Sequence, residues 1–405
     1  MKRLCIYQLY DKEGIVDDYV FYWIDELKKI AFDTYVVSNG QLTESSKKRL
    51  DSTCTQVFIR EDQGYDAMAF RYVLLEKVGR KNVNKYDECL IINDSVFGPF
   101  YSLEMIVEEM SDRNCDFWGI TDQYPIKNYL EEGNDIPYHI QAYFVMFKKK
   151  ALESDEFWDF WEELGSINKY EDAVIKYEFA LTQKLLGAGL ISDVYCNEEY
   201  AEDGFVDLME RPILLLEKGV PVLKRKVVLD NRFLDLNCFA SQIYLYKILS
   251  YIRTHHKYDY DLIVKCIERE LGLKYSYCSL EKYKDKRIMG MRNERCWNYN
   301  IISEKVYKFL TKNQQVWIYG AGYNACLIIR IILELKLASI NGVMVSELHS
   351  NPSDLYGISV YAASEIVKEE HMRVHSVIIA IKSAVEAYSI KEYLVENGIK
   401  NIEMI

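Results

Sequence analysis

Apolar residues in the first quarter of the chain follow two rhythms. Short, largely apolar runs at Leu4 to Leu9, Thr34 to Ser38, Gln56 to Arg60 and Glu88 to Ile92 alternate with longer stretches. In those stretches, across Val16 to Ile30, Thr43 to Leu50 and Asp66 to Val78, apolar positions recur every three or four residues. The first rhythm predicts strands and the second amphipathic helices. Four strands, each separated from the next by a helix, predict a parallel sheet wound in α/β fashion. Ligands of such sheets sit beyond the carboxyl ends of the strands. Those ends are Tyr10-Asp11, Ser38-Asn39, Arg60-Glu61-Asp62 and Asn93-Asp94-Ser95.

Beyond Asp94 the pattern predicts a helix at Leu103 to Met110, strands at Asp116 to Ile120 and Ile140 to Phe147, and helices at Ser154 to Leu164 and Tyr170 to Leu186. The polar stretch from Thr121 to Pro137 is too long for a compact connection without a purpose, and is read as a mobile substrate loop. Phe239 to Leu273 reads as two helices rich in Tyr, Ile and Leu, followed by a basic connector between Lys282 and Arg295. A further unit opens with Val316-Trp-Ile-Tyr-Gly320-Ala-Gly322-Tyr-Asn-Ala325, a strand running through G-x-G-x-x-A into a helix. Such glycines clear space for a phosphate at a helix N-terminus, and Glu347, after the next strand, is placed to take ribose hydroxyls. The expected divisions are 1–235, 236–300 as a helical connector, and 301–405 as a small Rossmann-like domain.

Composition narrows the field. No apolar run approaches the ~20 residues of a membrane helix, and the opening Met1-Lys-Arg leads directly into a strand without a secretory pattern. A cytoplasmic location is expected. The 10 cysteines are scattered singly, with no C-x-x-C, and read as reduced buried hydrophobes. A net charge of −12 excludes a general nucleic-acid footprint. The 33 tyrosines, each with a flat apolar face and a hydroxyl, suit carbohydrate surfaces, although ordinary packing uses them too.

At the strand ends, Asp94 is placed to hold Mg²⁺ or Mn²⁺ against a diphosphate, with Asn93 offering an amide oxygen; an Asn-Asp-Ser turn capping a helix is the competing reading. Arg60 and Asp66 flank Gly64 and would meet phosphate and a sugar hydroxyl, or only cap a helix. Tyr10, Asp11, Ser38, Asn39 and Ser95 complete the edge. Glu178 is the candidate general base, the group that direct transfer with inversion requires to take an acceptor hydroxyl's proton. A helix-dipole acid is its alternative role, and Asp116 and Asp122 are rivals. Lys224, in Pro221-Val-Leu-Lys224-Arg225-Lys226, could return a cation to the diphosphate or belong to a charged edge strand.

Taken in order, Arg60-x-x-x-Gly64-Tyr65-Asp66, Tyr86-Asp87 through Ile92-Asn93-Asp94-Ser95-Val-Phe-Gly-Pro99, Asp116-Phe-Trp-Gly-Ile-Thr121, His139-Ile-Gln-Ala-Tyr-Phe144, and Phe157-Trp158 with Phe160-Trp161 resemble the rhamnan synthesis protein F family of bacterial glycosyltransferases. The resemblance spans roughly residues 1 to 235. It implies an inverting GT-A (nucleotide-diphospho-sugar transferase) domain that moves a sugar, often from dTDP-rhamnose, to a lipid-linked or oligosaccharide acceptor in a growing cell-wall, capsular or lipopolysaccharide glycan. Such an acceptor implies peripheral association with the inner face of the plasma membrane. Glu178 to Gly189 is similar to the acid, leucine and late glycine of inverting GT-A enzymes, with Phe179 where a second acid often stands. The usual Asp-x-Asp is here a single acid, Asp94. The C-terminal unit is similar to small nucleotide-sugar-binding domains of bacterial sugar acyltransferases. A non-catalytic nucleotide-sugar-binding subunit of a polysaccharide assembly system is the alternative function. An NAD enzyme centred on Gly320 lacks a placeable proton relay.

Overall fold

The computed structural model describes residues 1–125, 136–196, 208–209, 212–230, 239–271, 304–348, 351–369, 375–381 and 383–405. Most of the predicted Thr121 to Pro137 loop and the whole Lys282 to Arg295 connector lie outside them. The chain divides into two compact units, Met1–Arg225 with Ile252–Leu273, and Lys226–Tyr251 with Lys274–Ile405. The helix Asp261–Leu271, which the sequence assigned to a connector, is thus part of the first unit.

In the first unit β1 (Arg3–Tyr10), β2 (Asp33–Asn39), β3 (Gln56–Arg60) and β4 (Glu88–Asn93) are parallel, as the alternation predicts. Cys89 to Ile92 and Leu4 to Leu9 are buried on both faces, which is why these strands read as apolar runs instead of alternating ones. The helix Asp18–Ile30 lays Tyr19, Val20, Trp23, Ile24 and Leu27 into the core, and Thr43 caps the helix Glu44–Thr53 by accepting the Ser46 N–H at 3.2 Å.

The next strands are β5 (Val96–Phe97), β6 (Phe117–Gly119), β7 (Asp122–Gln123), β8 (His139–Ile140), β9 (Phe144–Lys148), β10 (Ser192–Val194) and β11 (Leu223–Lys224). The sheet order is β10-β6-β9-β4-β1-β2-β3. The predicted strand Ile140 to Phe147 is split: a turn at Gln141 to Tyr143 separates β8 from β9, and β9 runs antiparallel between β4 and β6. β8 pairs antiparallel with β7 and β9 antiparallel with β6, so the chain that leaves β6 through β7 comes back alongside it, and β9 runs opposite to β6. Trp158, Trp161, Phe157, Phe160 and Tyr177 pack one flank of this sheet. The predicted helices after Asp66 and Tyr170 both form, each with an inner π-helical stretch, Tyr72–Val78 and Val174–Phe179.

The second unit carries the sheet β14-β15-β13-β12-β16-β17. It is built from β12 (Gln315–Tyr319), β13 (Ser339–Val345), β14 (Asp354–Leu355), β15 (Ile358–Ala362), β16 (Ser376–Ile379) and β17 (Asn401–Met404), parallel except for β14. Both units are therefore α/β. No helix among the described residues is long and apolar enough to cross a membrane.

Candidate active site

Six of the predicted site residues are joined in one chain of hydrogen bonds across the carboxyl ends of β2, β3 and β4. Arg60 donates to the Asn39 amide oxygen at 2.7 Å and to the Gln63 carbonyl at 2.8 Å. The Asn39 amide in turn donates to the Tyr65 carbonyl at 2.8 Å. This fixes a turn in which Gly64 and Tyr65 both have positive φ, +74° and +56°, a conformation that a tyrosine adopts only at a cost. The turn aims Asp66 at β4, where the Asn93 amide donates to its carboxylate at 2.7 Å. Asn93's own amide oxygen accepts the Ser95 hydroxyl at 2.6 Å and the Ser95 N–H at 3.2 Å. Lys224 reaches the Ser95 hydroxyl at 3.3 Å and lies 4.0 Å over the Tyr143 ring. Its placement follows from the antiparallel pairing of β11 with β5, Lys224 opposite Val96. Burial pushes the Asp66 carboxyl up to about 6, with the Asn93 bond opposing the shift and the negative charge of Glu178 adding to it. Glu178 reaches the same edge through the Ala142–Tyr143 turn, whose Tyr143 carbonyl accepts the Asn93 N–H at 3.1 Å.

Glu178 sits on the π-helical stretch and accepts the Ala142 N–H at 2.8 Å through Oε1. The turn that splits the predicted strand supplies that N–H. Gln141, in the same turn, accepts the Thr121 hydroxyl at 2.6 Å, and Thr121 pairs with the Tyr143 hydroxyl at 2.8 Å. Asp122 follows β6 at the crevice end, where burial raises its carboxyl and its bond with Tyr138 opposes the shift. Asp116 is not brought to this edge. It precedes β6, which runs parallel to β4, so it stands at the opposite end of the sheet. There it accepts the Ile191 N–H at 2.9 Å and pairs with Lys150 at 2.8 Å.

Asp94 has a different partner from the one expected. Its carboxylate accepts the Tyr10 N–H at 3.2 Å and lies 3.4 Å from a guanidinium nitrogen of Arg225, both side chains being 16% exposed. The same nitrogen donates to the Asp94 carbonyl at 3.1 Å, and the Arg225 N–H to the Ser95 carbonyl at 2.9 Å. Burial raises the Asp94 carboxyl, against the pull of Arg225. Behind it Arg269 grips Asp17 through two bonds of 2.8 and 2.7 Å and meets Asp11 at 2.8 Å and Glu270 at 3.0 Å. Ser38 is buried and donates to the Gly40 carbonyl at 3.0 Å.

Mg²⁺ and Mn²⁺ take a shell of oxygen ligands, usually carboxylate and phosphate. Of the tripeptide's acceptors, the Asn93 oxygen is engaged by Ser95 and the one carboxylate by a guanidinium, so the described residues here do not fit a resident divalent ion. Among the described residues the one group of convergent ligand types is Asp17, Cys266 and Glu270, and Arg269 already holds both of its carboxylates. Arg269 and Glu270 escaped selection from the sequence, and of the basic run Lys224-Arg225-Lys226 only Lys224 was singled out. The signal was a run of charges, Glu268-Arg269-Glu270, closing a helix whose other face buries Ile263, Val264, Cys266 and Ile267.

In the second unit Gly320 follows β12 with φ +117°, and Gly322 precedes the helix Tyr323–Leu335, in whose first turn Ala325 is fully buried. The small residue allows close helix–sheet packing, as the motif requires. Glu347 follows β13, and its carbonyl accepts the Asn351 amide at 2.7 Å.

Three parallel strands flanking β1, one antiparallel strand inserted beyond β4 and a polar crevice at the carboxyl ends define a fold of the GT-A type. The chain belongs to the rhamnan synthesis protein F family, whose profile matches residues 34–302. It is 24% identical over 198 residues to the uncharacterized protein y4gN of Sinorhizobium fredii, covering 48% of this chain and 49% of that protein. Over 168 residues it is 28% identical to the virulence protein VirA of Vibrio anguillarum, covering 39% and 48%. The chain thus spans about half the length of the curated relatives it matches. Among solved structures it is similar to S. aureus TarS, at 13% identity and a TM-score of 0.31 over 76% of this chain and 50% of that one. It is also similar to the mannosyltransferase Ktr4p of S. cerevisiae in complex with GDP, at 10% identity and 0.29 over 47% and 67%.

Proposed function

We propose that this protein transfers a sugar from a nucleotide-diphosphate donor to a hydroxyl of a glycan acceptor, with inversion. The observation that carries the reading is the hydrogen-bonded chain Arg60–Asn39–Tyr65–Asp66–Asn93–Ser95–Lys224 along the crevice edge, with the Glu178 carboxylate at the same edge. The donor's diphosphate would lie against Ser95 and Lys224, and Tyr10, 45% exposed at the end of β1, would border the nucleoside. The acceptor oxygen attacks the anomeric carbon as the bond from that carbon to the diphosphate breaks. The electron pair stays on the diphosphate, and the acceptor's proton passes to Glu178. The Ala142 N–H orients that carboxylate through Oε1, and among the described residues Oε2 has no donor, which leaves it for the proton.

Family membership favours rhamnose, as dTDP-rhamnose, and an acceptor in a lipid-linked surface glycan. Incubation of the full chain with a panel of nucleotide sugars and a rhamno-oligosaccharide, with NMR of the product's anomeric configuration, tests the reading. Failure to bind or hydrolyse any donor, with Asp94→Ala making no difference, would sink it. Tight binding without turnover would favour a non-catalytic nucleotide-sugar-binding subunit instead.

A further inference from the structure

Asp94 is matched with a cation in this fold, and the cation belongs to the chain. The pairing begins with the ribbon of β5 and β11, which sets Lys224 and Arg225 directly against Asn93, Asp94 and Ser95. Arg225 is held at five points: its N–H on the Ser95 carbonyl, one terminal nitrogen on both oxygens of Asp94 named above, the other on Glu270 at 3.0 Å, and its plane 5.1 Å over the Tyr19 ring. Its Nε is buried and, among the described residues, without a hydrogen-bond partner, so this guanidinium still has a donor unspent. A divalent ion approaching Asp94 would enter the space of a fixed positive charge, with like charges a few ångströms apart in a poorly solvated site. Displacing Arg225 to relieve that repulsion would also break its contacts with Glu270 and Tyr19.

We infer that Arg225 takes the place of the divalent ion at the donor site, so that nucleoside-diphosphate binding here is independent of metal. The inference rests on the proposed donor site. Chemically, a guanidinium is suited to the role: it is always charged, planar and able to present parallel N–H groups to phosphate oxygens. With Lys224 beside Ser95, it sets two positive charges on the tripeptide that carries a single acid.

The test is isothermal titration of dTDP, UDP and GDP into the full chain, in EDTA and again with Mn²⁺ in excess. The expected result is that at least one diphosphate binds with the same Kd in both conditions. Arg225→Met should bind it about tenfold or more weaker in EDTA, and Mn²⁺ should recover part of the loss, since Asp94 is then open to an ion. Arg225→Lys, which keeps the charge, should stay metal-independent. A wild-type Kd that appears only with Mn²⁺ would overturn the inference while leaving the donor site standing, and so would an Arg225→Met that binds like wild type in EDTA. If no diphosphate binds in either condition, the donor-site reading falls as well. The wild-type comparison needs no variant, and a thermal melt identifies any substitution that fails to fold.

Discussion

The Asn93 amide, at the end of β4, donates to the Asp66 carboxylate at 2.7 Å and so ties the last residue of a buried strand to the first turn of the helix beginning at Tyr65. The bond joins two segments 27 residues apart and sets the width of the crevice between them. It also stabilises a carboxylate that burial disfavours, because the amide supplies one N–H where water would supply several.

The pH dependence of stability follows from that carboxylate. Asp66 binds its proton more tightly in the folded protein, its value rising from 3.8 to about 6. Its contribution is therefore fully present below about pH 4 and is lost as the pH rises through about 6. Asp66→Asn has no charge to bury. Its melting temperature relative to wild type should climb between about pH 4 and about pH 8. Melts followed by circular dichroism across that range check it, and parallel curves for the two proteins would refute the assignment.

Glu178→Gln keeps the shape of the side chain and an acceptor for the Ala142 N–H, and removes the basicity. Turnover should fall by roughly 10²–10⁴, the usual contribution of a positioned base, while donor affinity changes less than about twofold, since the carboxylate is not placed on the phosphate. Steady-state kinetics together with donor titration separate the two effects. Equal losses in both would mean that Glu178 holds the site's shape instead of taking a proton.

Gly64→Ala addresses the strained turn. Gly64 has φ +74°, and a Cβ there would collide with the Met68 side chain, one turn into the following helix. The substitution should cost about 1–3 kcal/mol, measured by urea denaturation. It should also weaken donor binding, because the Tyr65 carbonyl and Asp66 lose their positions together. A stable variant with unchanged donor affinity would show that the turn's conformation is incidental to the site.

The features legible in the sequence were those that a segment carries by itself. Parallel strands inside the sheet are apolar along most of their length, so β1, β2 and β4, with the half-buried edge strand β3, and their polar ends at Asn39, Arg60 and Asn93 could be read directly. The direction of β9 was not legible, since an apolar run from Ile140 to Phe147 does not announce that it returns antiparallel beside β6 and β7. Partners set by tertiary register were hidden too. Arg225 reaches Asp94 across 131 residues and Arg269 reaches Asp17 across 252. A strand end marked by a single acid pointed to a metal; the contact of its carboxylate with the Arg225 guanidinium at 3.4 Å was not legible.

Arg269 offers the sharpest separation of charge from packing. It is 20% exposed and faces three carboxylates, Asp11, Asp17 and Glu270, each within 3.0 Å of its side chain. In Arg269→Met the apolar stem survives, but Asp11 and Asp17 lose their guanidinium and Glu270 keeps only that of Arg225, and like charges at this range oppose one another. The loss of stability, read by urea denaturation, should be about 1–3 kcal/mol, less than for a fully buried pair because Arg269 is partly exposed. Divalent ions then become the natural counter-charge: with Arg269 gone, Asp17, Cys266 and Glu270 keep ligand atoms within 4.8 Å of one another. Mn²⁺ should therefore raise the melting temperature of Arg269→Met and leave wild type unmoved. A variant as stable as wild type, or one indifferent to Mn²⁺, would show that the acids find other partners when the arginine is removed.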